Sequence, residues 1–178
     1  MKKALFLDRD GVVCESTPRG EGLPTVYLLT KEQLRLLPHI DKLIQAAQEK
    51  NYVVVIVTNQ PPIAKKLITP EQLDDIHTHM RELLGNAKID AIYICPHKRE
   101  DNCECRKPKP TMLLQAAREL DLDLTRSIYI GDSDKDILAG QAAGVKTVFL
   151  RNEWNDTELA KVQPDHTVSS LQAVYELL

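Results

Sequence analysis

Asp8-Arg9-Asp10-Gly11 stands directly behind a short apolar run, Ala4 to Leu7. An apolar strand that delivers two acids to an exposed turn has little structural purpose, so Asp8 and Asp10 are candidates for chemistry. Three more polar clusters share this placement. Thr58-Asn59 closes the run from Tyr52, Arg106-Lys107-Pro108 precedes a helical pattern, and Gly131-Asp132-Ser133-Asp134-Lys135-Asp136 follows Ser127 to Ile130. One such cluster is weak, because DxD is common and a strand-end Asp often only caps a helix. Four in order are a stronger signal. Carboxylates in unlike surroundings can divide acid, base and nucleophile roles between them. Their oxygens are also what Mg²⁺ takes alongside water.

A second constellation is Cys95-Pro96-His97, five residues, then Cys103-Glu104-Cys105. Three thiolates and one imidazole make a closed tetrahedral set of the kind structural zinc uses, whereas catalytic zinc keeps a position open. The competing readings are reduced surface thiols or a redox pair at Cys103 and Cys105. Cys14, remote in sequence, is expected as a small buried residue near Asp10 rather than a reactive thiol.

The elements that must position these groups follow from apolar periodicity. Lys3 to Leu7, Tyr52 to Thr58, Ala91 to Cys95, Ser127 to Ile130 and Lys146 to Leu150 read as strands, the second apolar enough to be buried on both faces. Helical patterns lie between them at Ile40 to Lys50, after Thr69, at Thr111 to Leu120 and at Asp134 to Ala143. Thr69, Pro70 and Gln72 form a capping-box start, and Gly144 is a plausible stop for the last helix. Asp134 is expected to cap that helix, and Ser169 to Leu178 reads as a terminal helix. The alternation predicts an α/β fold: a parallel sheet with helices on both faces and ligands at the carboxyl ends of the strands. With no repeat, low-complexity tract or linker, residues 1–178 are expected to form a single domain.

Composition narrows the function classes. A net charge of −3 in 178 residues and a pI near 6.0 argue against a nucleic-acid binder held by a basic surface. No apolar run reaches the roughly 18 residues of a membrane span, and Ala4 to Leu7 is too short for the apolar region of a signal peptide. The expectation is a cytoplasmic monomer that acts on a small molecule and contacts neither nucleic acid nor membrane.

The four polar clusters, in this order and over roughly Lys3 to Leu150, resemble the haloacid dehalogenase (HAD) superfamily of phosphohydrolases. With the cysteine–histidine loop and the DRDG, TNQ and CRKP segments, the chain resembles its histidinol-phosphatase-like branch. The resemblance implies a Rossmann-like, HAD-like sheet and a Mg²⁺-dependent phosphatase working through an aspartyl phosphate. In that pattern Asp8 is the nucleophile and Asp10 the general acid and base. Mg²⁺ falls to Asp8, the Asp10 backbone carbonyl and Asp132, with Asp136 an additional candidate. Thr58, the Asn59 backbone and Lys107 hold phosphoryl oxygens, and Arg106 reaches the substrate. Structural zinc falls to Cys95, His97, Cys103 and Cys105.

The implied substrate is a phosphorylated sugar, Arg106 favouring a bisphosphate through its bidentate fork. Histidinol phosphate and a broad range of sugar phosphates are the alternatives. A non-catalytic zinc-stabilised binding module would be expected to lack at least one of Asp8, Asp10, Lys107 and Asp132, and all four are present. Too few residues separate the motifs for a folded cap, so a capless enzyme is expected, partly covered by the Cys14–Thr30 segment and the zinc loop. Pro61-Pro62 departs from the branch, which places Ser-Gly after TNQ, and two prolines remove backbone donors there. His77 and His79 are expected as surface or partly buried bystanders and Trp154 as a packing residue; His39 and His166 have no evident role.

Overall fold

The computed structural model describes residues 1–16 and 27–178. Most of the Cys14–Thr30 segment therefore lies outside the described residues. Six parallel strands form one sheet in the order β3-β2-β1-β4-β5-β6. They are β1 (Lys3–Leu7), β2 (Tyr52–Asn59), β3 (Ala91–Cys95), β4 (Ile128–Gly131), β5 (Lys146–Leu150) and β6 (His166–Val168). Helices α1 (Ile40–Glu49), α2 (Pro70–Leu84), α3 (Thr111–Leu120), α4 (Asp134–Ala143) and the short α5 (Asp156–Leu159) make the crossovers.

Strand alternation divides the core in two. Leu5, Leu7, Val54, Ile56 and Ile130 face Leu43 and Ile44 of α1 and Ile76 and Met80 of α2. Their neighbours Ala4, Phe6, Val55, Val57 and Tyr129 face Met112, Leu113 and Ala116 of α3 and Ala139 of α4. Both faces of β1 and β2 are thus covered, which is why these strands read as continuous apolar runs. Each fully buried Leu, Ile or Phe contributes about 1.5–3 kcal/mol relative to exposure.

The helix ends follow their sequence signals. Thr69 Oγ1 accepts from the Gln72 amide at 3.2 Å, and the Gln72 side chain returns to the Thr69 amide at 2.8 Å. Gly144 closes α4 at φ +76°, where a left-handed residue favours glycine. Three expectations are corrected. Ser133, not Asp134, caps α4, and Asp136 completes its capping box; Asp134 is the first helical residue. The terminal segment is a 3-10 helix over Leu171–Leu177, whose three-residue turn lets Leu171 and Val174 share the buried face. β6 and α5 are additional elements too short to carry a periodic pattern. Among the described residues, no helix is long and apolar enough to cross a membrane.

Candidate active site

The strand order reverses direction of growth at β1, whose neighbours are β2 and β4. Open parallel sheets bind ligands in the crevice at such a switch point. The carboxyl ends of β1, β2 and β4 release Asp8, Thr58 and Asp132 into the same crevice.

Lys107 lies at its centre and is buried. Its Nζ is 2.9 Å from Asp8 Oδ1 and 2.6 Å from Asp136 Oδ1, and it also donates to the Val57 carbonyl and the Tyr129 hydroxyl. Burial works against the ammonium charge, but Asp136 and Asp8 more than offset it and raise its pKa. The Lys107 backbone is fixed as well: its amide donates to Asn59 Oδ1 at 3.1 Å, and Asn59 Nδ2 donates to its carbonyl at 3.2 Å. The Asn59 side chain thus clamps the lysine.

Asp136 is fully buried. Besides Lys107 it accepts from the Tyr129 hydroxyl at 2.9 Å, the Ser133 amide at 3.1 Å and Ser133 Oγ at 2.6 Å. Burial alone would raise its pKa, but Lys107 and these donors lower it. Asp8 accepts from the Arg9 amide at 2.7 Å. Burial and the charge of Asp136 push its carboxyl up to about 6, against the pull of Lys107.

The carboxylates of Asp8, Asp132 and Asp136 each place an oxygen within 4.8 Å of the others. Three buried acids facing one buried ammonium make an oxygen-rich, anionic set suited to a hard divalent cation. Asp136 already accepts four bonds, so Asp8 and Asp132 are the better-placed ligands. Gly11 makes room for Asp132: it has φ +94°, and a Cβ there would lie 1.9 Å from Asp132 Oδ2.

Asp10 is held from the side. Arg9, only 1 % exposed, places Nη2 at 3.0 and 2.9 Å from the two Asp10 oxygens and Nε at 3.2 Å from Oδ1. Gln60 Nε2 donates to Asp10 Oδ2 at 3.0 Å and to Thr58 Oγ1 at 2.9 Å, while Gln60 Oε1 accepts from Arg9. An ion pair joins charged groups, so this arrangement holds Asp10 as the carboxylate. Cys14 is buried beside Asp10, its Sγ 3.6 Å from Oδ1, as expected.

His77 is corrected from bystander to buried partner, its Nε2 3.3 Å from Arg9 Nη1. Burial and the Arg9 charge lower its pKa to about 4, so the neutral ring offers Nε2 as acceptor to the guanidinium.

In the cysteine–histidine loop, Sγ of Cys95 is 3.1 Å from Cys105 and 3.6 Å from Cys103, and Cys103 is 3.6 Å from Cys105. His97 Nδ1 lies 3.3 Å from Cys105 and 3.8 Å from Cys95. Zn–S bonds of about 2.3 Å give a tetrahedron with edges of about 3.7 Å, so the cage is close to the size zinc needs. Arg106 Nη1 donates to the His97 carbonyl at 2.9 Å, coupling Arg106 to this loop.

No local pattern in the sequence marks the side chains of Arg9, Asn59, Gln60 or Tyr129 for these contacts. Helical spacing did carry a signal for His77, four residues after Leu73 and three before Met80, both buried. Trp154, expected to pack, is 48 % exposed.

A parallel sheet with this order and these acids defines a HAD-like hydrolase. A family model described as HAD-hydrolase-like matches residues 104–174. The D-glycero-D-manno-heptose-1,7-bisphosphate 7-phosphatase of Chlorobaculum tepidum is 34% identical over 190 residues, covering 97% of this chain and 92% of that protein. The D-glycero-alpha-D-manno-heptose-1,7-bisphosphate 7-phosphatase of Campylobacter jejuni is 39% identical over 153 residues, covering 85% and 83%. The crystal structure of D,D-heptose 1,7-bisphosphate phosphatase from B. bronchiseptica, complexed with magnesium and phosphate, superposes with a TM-score of 0.87 at 30% identity over 98% of this chain and 97% of that one. The chain belongs to the HAD-like hydrolases, in the same family as these proteins.

Proposed function

We propose that this protein is a Mg²⁺-dependent phosphatase that removes the 7-phosphate of D-glycero-D-manno-heptose 1,7-bisphosphate through an aspartyl phosphate on Asp8. The observation that carries the reading is Lys107 held between Asp8 and Asp136 beside Asp132, at the switch point of the sheet. The relatives named for this activity match nearly the whole chain and supply the substrate. They are named for both α and β anomers, so the proposal specifies neither.

Asp8, Asp132 and the Asp10 carbonyl would hold Mg²⁺, which supplies positive charge where a phosphate approaches a carboxylate. Lys107 and Thr58 bind phosphoryl oxygens and favour the charge that develops on them. An Asp8 oxygen attacks phosphorus, and the bond from phosphorus to the sugar oxygen breaks. That oxygen takes a proton from one oxygen of the Asp10 carboxyl, while the other can keep accepting from Arg9. The Asp10 carboxylate then takes a proton from water as the water oxygen attacks the aspartyl phosphate, releasing phosphate and restoring Asp8.

Arg106, carried by a zinc loop of Cys95, His97, Cys103 and Cys105, would meet the second phosphate of the substrate. Residues 1–178 would act as one capless, cytoplasmic, monomeric domain; reduced thiols suit that compartment.

The test is phosphate release with Mg²⁺ from heptose 1,7-bisphosphate, histidinol phosphate and common hexose phosphates. Preference for the heptose bisphosphate by orders of magnitude in kcat/KM supports the reading. Preference for histidinol phosphate, or equal turnover of all, overturns the substrate. Turnover of none overturns the phosphatase.

A further inference from the structure

We propose that Gln60 is a positioning residue for this reaction: its side-chain amide sets both the Thr58 hydroxyl that meets the phosphate and the Asp10 carboxyl that moves the proton. The inference rests on the phosphatase reading above. Gln60 stands one residue beyond β2 and is 2 % exposed. Glutamine is rarely so buried, and its amide is costly to bury unpaired; here every polar atom of it is in use. Nε2 donates to Thr58 Oγ1 at 2.9 Å and to Asp10 Oδ2 at 3.0 Å, one hydrogen to each, and Oε1 accepts from Arg9 Nη2 at 3.1 Å.

Arg9 fixes which way round this amide lies. A guanidinium only donates and a carboxylate only accepts. Turning the amide over would therefore set N–H against N–H at Arg9 and oxygen against oxygen at Asp10. Arg9 is itself held by His77, Nη1 to Nε2 at 3.3 Å. The Gln60 backbone is tied to the neighbouring strand, its amide donating to the Cys95 carbonyl at 2.7 Å. The donor at Thr58 has a direct consequence. With Oγ1 accepting from Gln60, the hydroxyl hydrogen cannot point there and is left to be given to a phosphoryl oxygen. The donor at Asp10 reaches Oδ2 and, with Arg9 on both oxygens, fixes the plane of the carboxyl. Both effects are in place before substrate arrives, so they lower the barrier rather than raise affinity.

Double-mutant cycles on kcat for heptose 1,7-bisphosphate, with Mg²⁺ and zinc present, test the assignment. Gln60→Met keeps the length of the side chain and removes all three bonds. It is expected to lower kcat about ten- to a hundredfold and to leave KM within about threefold, as the loss of bonds to groups that act in the transition state predicts. In an Asp10→Asn or a Thr58→Val background the same substitution should cost severalfold less, because a group it acts through is already gone. Gln60→Glu keeps the acceptor for Arg9 and loses both donors; it should follow the same pattern, and it decides the matter where Gln60→Met does not fold. A merely structural role would give the same loss in every background, and Gln60→Glu would then match wild type. Either of those results, or an unchanged kcat, overturns the inference while wild-type turnover leaves the phosphatase reading standing. Wild-type enzyme that releases no phosphate overturns both.

Discussion

Asp136 and Lys107 meet at 2.6 Å with neither exposed to solvent, and this contact aims the lysine at Asp8. A buried charge robbed of its partner costs about 3–5 kcal/mol. Asp136→Asn keeps the shape but removes one of the two carboxylates paired with Lys107, so it should lower stability by less than that amount and reduce kcat by one to two orders of magnitude, since Asp8 is then the carboxylate left to hold the ammonium. Thermal unfolding and steady-state kinetics on the same preparation check both. A variant with wild-type kcat would show that Lys107 needs no such anchor.

Gly11 has the backbone of a left-handed residue and no room for a side chain. Gly11→Ala should displace Asp132 and weaken Mg²⁺ binding, leaving the zinc cage intact. Titrating activity with Mg²⁺ should show a higher half-saturating concentration, with zinc content by atomic absorption unchanged. Equal Mg²⁺ dependence in the two proteins would contradict the placement.

His77 gives acid sensitivity. Its folded-state pKa is lowered from 6.5 to about 4, so its contribution is fully present above 6.5 and is lost as pH falls toward 4. The difference corresponds to about 3 kcal/mol. His77→Gln, which cannot charge, should lose less stability between pH 6.5 and 4 than wild type does. Denaturant unfolding at a series of pH values measures this, and parallel pH profiles would refute it.

Asp8 has the opposite sign. Its folded pKa is raised from 3.8 to about 6 by burial and Asp136, so its contribution is present at low pH and lost as pH rises through 6. Metal-free protein should lose stability over that interval, and a cation on the ionised carboxylate should restore it. The rise in Tm on adding Mg²⁺ should therefore be larger at pH 7 than at pH 5. A pH-independent shift would mean that the ion binds elsewhere.

The sequence carried the frame of this site because its signals are local. Asp8, Thr58 and Asp132 follow apolar strand runs, and the spacing from Cys95 to Cys105 sits within one loop. What it could not carry are contacts that exist only after the strands are ordered. Nothing local marks Arg9, between two acids, as buried, yet the fold buries it against Gln60 and His77. Asn59 was legible as part of TNQ, but its clamp on Lys107 spans 48 positions. Asp134 looked like the cap because an acid at a strand end often is one, and Ser133, one residue earlier, took that place. Trp154 looked like a packing residue because most tryptophans are, and only the fold shows it exposed.

The central claim is that phosphate passes through Asp8. The most direct measurement is rapid acid quenching of enzyme, Mg²⁺ and heptose 1,7-bisphosphate labelled in the 7-phosphate, followed by peptide mapping. The account predicts label on the peptide containing Asp8, none in Asp8→Asn, and slower formation and slower loss of label in Asp10→Asn, each half-reaction slowing about 10²- to 10⁴-fold. Phosphate released at full rate by Asp8→Asn, or label never found on that peptide during turnover, would contradict it.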